Sequence, residues 1–321
     1  MTIAEALPQP LASAERWREK LAARFSLSED RVVEVSTAIT CVLILLAGPK
    51  EWYVSVFTSA LAAAALILRG LRAQPALWAF FGTAVGASAL YNWEYTDNHK
   101  YLLAYFCFAV MLSLGATDQR SFLAKSARSL IGVSFAMAVL WKVRSPDFIE
   151  GDFFRIHLLT DKRFVAVASW LGGVEFDSVR DFGKAWGSLE TITDLSKFRG
   201  FDVTLPARLN AVAVGMTVWT LFIEVWIALA FLVPERTLLA RYRDLALLLF
   251  AMTTYPVATV IGFGYLLLAM GLCQTRSALA RPVYIVAFFV MFLFEIPVFA
   301  LSTDNPNPVA NLIGIGSGDQ P

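Results

Sequence analysis

Long apolar stretches constrain this chain more than any other feature. Residues 32–48, 52–70, 76–93, 101–116, 127–143, 209–233, 245–272 and 283–301 form eight spans poor in charge. About 18–20 such residues cross the hydrocarbon core of a bilayer as a helix. The rest of the composition agrees. Hydrophobic residues make up 57% of the chain and charged residues 17%, against about 25% charged in soluble domains, and mean hydropathy is +0.60. The expected fold is therefore all-α. It is a polytopic integral membrane protein of about eight transmembrane helices, with an N-terminal interfacial amphipathic helix and a helical extramembrane insert.

The spans divide the chain into five parts. Residues 1–31 are polar and do not read as a signal peptide. Within them Leu11, Trp17, Leu21 and Phe25 recur at helical spacing opposite a basic face, a pattern suited to the membrane surface or to packing on a soluble part of the same protein. Residues 32–143 hold five spans and 209–301 hold three. Residues 144–208 form the one large extramembrane segment, with helical patterns at 162–171 and 177–189, and 302–321 form a tail. The seventh span is long and carries Thr253, Thr254 and Pro256, which predicts a kink or break.

Orientation follows from lysine and arginine in the short loops. If the spans alternate, Arg16, Arg18, Lys20, Arg24 and Arg31 share a side with Arg69, Arg72, Arg120, Lys125, Arg128, Arg236, Arg241 and Arg243. Lys50 and Lys100 fall opposite. The N-terminus is then cytoplasmic, the expected location is the bacterial inner membrane, and 144–208 faces outward. Arg276 and Arg281 break the rule, since alternation puts them outside. A net charge of +1 and the absence of a basic block argue against nucleic acid as a partner.

Cys41, Cys107 and Cys273 lie in or at the ends of apolar runs, and none forms a CxxC pair, so they read as small buried residues. No phosphate loop, G-x-S-x-G or HExxH occurs. A haem held by two histidines would need both His99 and His157, the latter in the insert. Gly262, Gly264 and Gly271 in IGFGYLLLAMG fit close helix packing or, alternatively, a cofactor-facing groove.

Four ionisable residues stand out by depth. Lys142 ends the fifth span and His99 precedes the fourth, so both lie at the outer membrane boundary, and the short loop between those spans makes the helices neighbours. A shared outer pocket is expected. A poorly hydrated amine there can act as a general base, and a histidine can move a proton or hold an anion. The plainer readings are a lysine snorkelling to the interface and an interfacial hydrogen-bonding histidine. Glu224 in WTLFIEVWIALAF and Glu295 in FFVMFLFEIPVFA lie within spans, where a carboxylate is costly. Glu224 is a candidate proton relay, quinone contact or partner for a basic residue. Each glutamate could equally hold two helices together.

Two motifs occur one helical hairpin apart. DNHKYL (97–102) opens a span, and AVLWKVRSPDFIEG (138–151) ends one on a lysine followed by an aromatic-x-Glu-Gly turn. This order resembles the HTTM domain, the membrane part shared with vitamin K-dependent gamma-glutamyl carboxylases, over roughly residues 30–300. The resemblance implies that Lys142 takes a proton from a reduced quinone of the menaquinone or vitamin K type. His99, with Asn98 beside it, would stabilise the reacting anion, and Glu224, Trp141 and Phe148 would contact the quinone. In the carboxylases oxygen then yields a strong base that deprotonates a glutamate side chain, to which carbon dioxide adds. Here phenylalanine replaces the tryptophan, the turn is one residue longer, and about 20 residues follow Leu301 where the carboxylases carry a large soluble part. The SPDF segment is also similar to quinone-linked DoxX-type membrane proteins. The expected activity is therefore a quinol-dependent oxidoreductase or carboxylase-like enzyme. The expected partners are the lipid bilayer, a quinone and a protein docking on 144–208. A non-enzymatic assembly partner or small-molecule carrier is the alternative.

Overall fold

The structure, a computed structural model, describes residues 27–189, 206–257 and 261–295. The described part of the chain is all-helical. The first five helices are α1 (Glu29–Ala47), α2 (Trp52–Ile67), the single turn α3 (Arg69–Arg72), α4 (Pro75–Tyr91) and α5 (Asn98–Leu114). Helix α6 (Gln119–Arg144) leads into the insert, made of α7 (Pro146–Ile149), α8 (Asp152–Thr160), α9 (Val165–Trp170) and α10 (Phe176–Leu189). The chain returns through α11 (Ala207–Leu232), the short α12 (Leu238–Arg241), α13 (Arg243–Thr254), α14 (Ile261–Gln274) and α15 (Ala280–Glu295). The amphipathic pattern at 11–27, all but its last residue, and the tail 302–321 lie outside the described residues.

Local chemistry sets the boundaries. Asp118 caps α6 by accepting from the Ser121 amide at 2.9 Å. Pro75 and Pro146 sit in the first turns of α4 and α7, where a missing N–H costs nothing. Gly151 adopts φ +84° between α7 and α8, a left-handed conformation that favours glycine. That turn reverses the insert back over the end of α6.

Two of these helices, α6 and α11, are long and apolar enough to cross a membrane, each with 26 residues. The other apolar helices are shorter, so the expectation of eight full-length spans holds only for these two by length and composition. Exposure nevertheless follows one pattern: Phe57, Ile67, Leu90, Val218 and Phe289 are all more than half exposed on outward faces.

The predicted seventh span is a correction. The chain does break at Thr253–Pro256, but it reverses rather than kinks. Asp244, at the start of α13, accepts from Thr275 just beyond the end of α14 at 2.7 Å and also from Gln274. Tyr255, just past the end of α13, meets the backbone of Gly264 near the start of α14. The two helices are thus an antiparallel hairpin of 12 and 14 residues, or about 18 and 21 Å at 1.5 Å per residue. The reversal moves Arg276 and Arg281. Arg281 donates to the Leu27 carbonyl at 2.7 Å and pairs with Glu29, and Arg276 pairs with Glu235 at 2.8 Å. Both therefore join Arg120 and Arg128 at the end of the bundle where α1 begins, and the anomaly in the charge rule disappears.

Helix α14 is the centre of the bundle. Tyr265 through Met270, Leu272 and Cys273 are all fully buried, and α1, α5, α6, α13 and α15 surround the helix. Its glycines permit the approach: His99 packs on Gly262, Tyr255 and Met291 on Gly264, and Tyr284 and Leu247 on Gly271. A β-carbon at Gly264 collides with the Tyr255 ring, which is itself buried and has no room to retreat. Gly264→Ala is therefore expected to cost about 1–3 kcal/mol by overpacking, read as a lowered thermal unfolding midpoint. An unchanged midpoint would contradict this packing.

Candidate functional site

Helices α6 and α11 run antiparallel in close contact. At one end Gly132 has no side chain because Phe231 and Leu232 fill the space, with the Leu232 Cδ2 only 2.8 Å from where a β-carbon would sit. Further along the same pair, the Lys142 Nζ donates to Glu224 Oε1 in an ion pair. The Glu224 side chain is 7% exposed and that of Lys142 24%. A lysine in the last turn of a helix reaches along the helix surface with its apolar stem; here it turns inward to the carboxylate. The second carboxylate oxygen, Oε2, is buried with no hydrogen-bond partner.

The insert closes over this pair. The Lys142 ammonium lies 5.4 Å from the centre of the Phe148 ring, within range of a cation–π attraction. Phe148 packs on Phe153 and Phe154 at 5.4 and 5.6 Å between centroids. His157 stacks on Phe153 at 4.0 Å and has its Nδ1 2.7 Å from the Phe153 carbonyl. A carbonyl only accepts, so Nδ1 is the donor in this contact. Phe164 closes the cluster against Phe154, and the Arg163 guanidinium lies 5.9 Å from its ring.

Arg163 is fixed by Asp161, whose carboxylate accepts from the Arg163 amide at 3.0 Å and from its Nε at 2.9 and 3.0 Å. Burial pushes the Asp161 carboxyl up, but the Arg163 hydrogen bonds and charge outweigh it and hold the group below the ordinary carboxylate value. The same hydrogen bonds raise Arg163.

Between this lid and the ion pair lies a cavity of about 330 Å³. Its floor is Lys142 and Glu224, its roof is the Phe148–Phe164 cluster with His157 and Arg163, and its far wall includes Phe250, Thr253, Thr254 and Tyr255. The Tyr255 hydroxyl is buried with no hydrogen-bond partner, like Glu224 Oε2. An aromatic box beside an ion pair suits a flat ring bearing a hydroxyl group, because the rings bury its faces and the charged pair meets its polar edge. Among the described residues no group of three His, Cys, Asp or Glu could hold a metal ion.

No family model matches the chain, and no curated protein or solved structure matches it.

Of the residues singled out from the sequence, Lys142, Glu224 and Phe148 come together in the cavity. Trp141 does not; it is 78% exposed on the outer face of α6. His99 and Asn98 are not among the lining residues. Asn98 is exposed, and His99 lies against Gly262. The expected pocket shared by Lys142 and His99 is therefore corrected: the histidine facing Lys142's cavity is His157. Depth along the membrane normal placed the two residues at one level, but the direction around each helix axis decides what they face. His157 and Tyr255 were not anticipated. The Phe153–His157 spacing of four places both on one face of α8, and Tyr255 precedes the proline that ends α13; those were the available signals.

Two outcomes are expected. Glu224→Gln leaves the Lys142 charge uncompensated in an apolar setting and should cost about 3 kcal/mol, whereas the double variant Lys142→Met/Glu224→Leu should recover most of the loss. Equal unfolding midpoints for the single and double variants would refute this account of the pair. Acid should also loosen the lid. Because Asp161 sits below its ordinary value of 3.8, its contribution is complete above that value and is lost as pH falls through the depressed one. Amide exchange in α8 and α9 should rise over that window, and Asp161→Asn should raise exchange at neutral pH and remove the change.

Proposed function

We propose that the chain is a polytopic membrane protein of the HTTM type that binds and oxidises a reduced quinone in the cavity above Lys142 and Glu224. The membrane reading draws on the exposed apolar faces of α2, α4, α11 and α15, since soluble monomers rarely expose contiguous apolar surface on this scale. It draws also on charge. With α13 and α14 as a hairpin, Arg69, Arg72, Arg120, Lys125, Arg128, Arg236, Arg241, Arg243, Arg276 and Arg281 all belong to one end of the bundle, leaving Lys50, Lys100, Lys142 and Arg144 outside the insert at the other. On the positive-inside rule the N-terminus is cytoplasmic, and the bacterial inner membrane is the location this reading assigns.

The observation that carries the chemistry is the largely buried Lys142–Glu224 pair lining an aromatic cavity. A quinol of the menaquinone or vitamin K type loses two electrons and two protons on oxidation, and dioxygen as co-substrate takes up both, giving quinone and hydrogen peroxide. Glu224 accepts one hydroxyl proton on its way to the reduced oxygen, and the Tyr255 ring lines the wall beside it. Phe148 and Phe153 cover the ring faces. Lys142 holds positive charge next to the carboxylate and offsets negative charge developing in the cavity. In the resting pair Lys142 is a donor, so it becomes a free base only by passing its proton to Glu224, and the two act as one proton-exchanging couple. His99 and Asn98 enter through the resemblance alone, from the adjoining start of α5. The cavity is compatible with a carboxylase-like second step, to which no further residue is assigned.

A second reading is a non-enzymatic assembly partner. It is favoured by Leu171 and Phe176, which lie about half exposed on the insert, and would make 144–208 a docking surface.

Purified protein in lipid nanodiscs should oxidise reduced menaquinone in the presence of oxygen. Lys142→Ala should lower turnover by about 10²-fold or more, while Tyr255→Phe, which keeps the ring and the packing, should raise KM several-fold. Full turnover in Lys142→Ala would end the enzymatic reading. Stoichiometric co-purification of one protein, without turnover, would establish the second.

A further inference from the structure

The opposite end of the bundle holds a second recess, of about 350 Å³. It lies where α6 and α13 begin and α14 ends, and its lining includes Arg120, Lys125, Arg128, Arg243 and Gln274. Arg120 covers the end of α14, donating to the carbonyls of Cys273 and Thr275, the latter at 2.8 Å. This is a favourable place for a cation.

Charge in the recess does not cancel. Glu235 is shared by Arg128 at 2.7 Å and Arg276 at 2.8 Å, one guanidinium on each oxygen. Glu29 is likewise shared by Arg120 and Arg281. Two carboxylates thus serve four arginines. Lys125 and the half-buried Arg243 add cations to the lining, and neither makes an ion pair among the described residues. With Asp118 also in the lining, the recess carries five cations, Arg120, Lys125, Arg128, Arg243 and Arg276, against three carboxylates. Burial holds Arg243 below its ordinary value, so an anion arriving there gains more than it would in open water. Arg243 also lines an adjoining hollow of about 400 Å³ with Arg236 and Arg241. Guanidinium groups presented as forks match the oxygens of a phosphate.

We propose that this recess binds the phosphodiester headgroup of an anionic phospholipid, with Lys125 and Arg243 as its direct contacts and the doubly shared carboxylates holding the surrounding arginines in place. The site lies at the basic end of the bundle, where a cytoplasmic leaflet would supply such lipids and where basic pockets between membrane helices recognise them. The proposal rests on the membrane reading given above and is independent of the quinol cavity at the other end.

Native mass spectrometry of the full chain released from nanodiscs containing phosphatidylcholine and phosphatidylglycerol tests it. Phosphatidylglycerol should be retained in preference to phosphatidylcholine. Lys125→Gln/Arg243→Gln should reduce that retention about tenfold. Arg69→Gln, which removes a cation paired with Glu34 outside the recess, should leave it unchanged, as should Lys142→Ala, whose effect is confined to the cavity. Equal retention of the two lipids, or retention unaffected by the double variant, overturns the proposal. So does displacement of the lipid by millimolar inorganic phosphate, which would assign the recess to a soluble anion. Because the lipid readout does not involve quinol turnover, failure of either proposal is visible without the other.

Discussion

The bundle depends on one helix that has no outward face. Helix α14 is apolar on every side and buried nearly throughout, and five other helices pack against it. A helix of this kind cannot be placed by amphipathicity, because it has no preferred face. Its position is set by shape: glycines at 262, 264 and 271 admit His99 from α5, Tyr255 from the end of α13, and Met291 and Tyr284 from α15. Close approach of this sort supplies association energy where hydrophobic burial is weak, as it is between helices in lipid. The site follows from it. Tyr255 packs against Gly264 and lines the same cavity as Glu224.

The Lys142–Glu224 pair is costly by itself. Moving two charges out of water loses more than their attraction returns unless the remaining hydrogen-bonding capacity is satisfied, and Glu224 Oε2 is not satisfied. Well-packed apolar residues would hold α6 against α11 at lower cost, as Gly132 against Phe231 and Leu232 already does further along the same interface. The pair is thus a poor device for stability. The same reasoning applies to Tyr255, whose ring packs well and whose hydroxyl adds only desolvation unless something in the cavity meets it.

Much of this architecture was legible. Apolar spans predicted the helices, the Thr253–Pro256 cluster marked the break, and the segment after Lys142 read as a helical insert, which Pro146 and Gly151 fold back over the end of α6. The reversal at that break was not read, although two signals pointed to it. A span of 245–272 is about 42 Å long as a continuous helix, well beyond the roughly 30 Å of a bilayer core, and Arg276 and Arg281 sat on the wrong side. Each has the same cause, a hairpin counted as one crossing. Hydropathy reports how apolar a segment is and says nothing about its direction. The pairing of Lys142 with His99 failed for a related reason. Sequence position fixes depth along a helix, but partners are chosen by rotation about its axis, and rotation is set by neighbours such as α14 whose own placement has no sequence period.

The hairpin also links the two ends of the molecule physically. Its closed end brings Tyr255 to the aromatic cavity, while its open end, held by Asp244 to Gln274, Thr275 and Tyr284, supplies Arg243 and Gln274 to the basic recess. The hairpin thus contributes to both hollows, a ring-lined one that holds an ion pair at one end and a cationic one at the other. A hydropathy profile cannot register this, since it reports neither the direction of a segment nor what its ends meet.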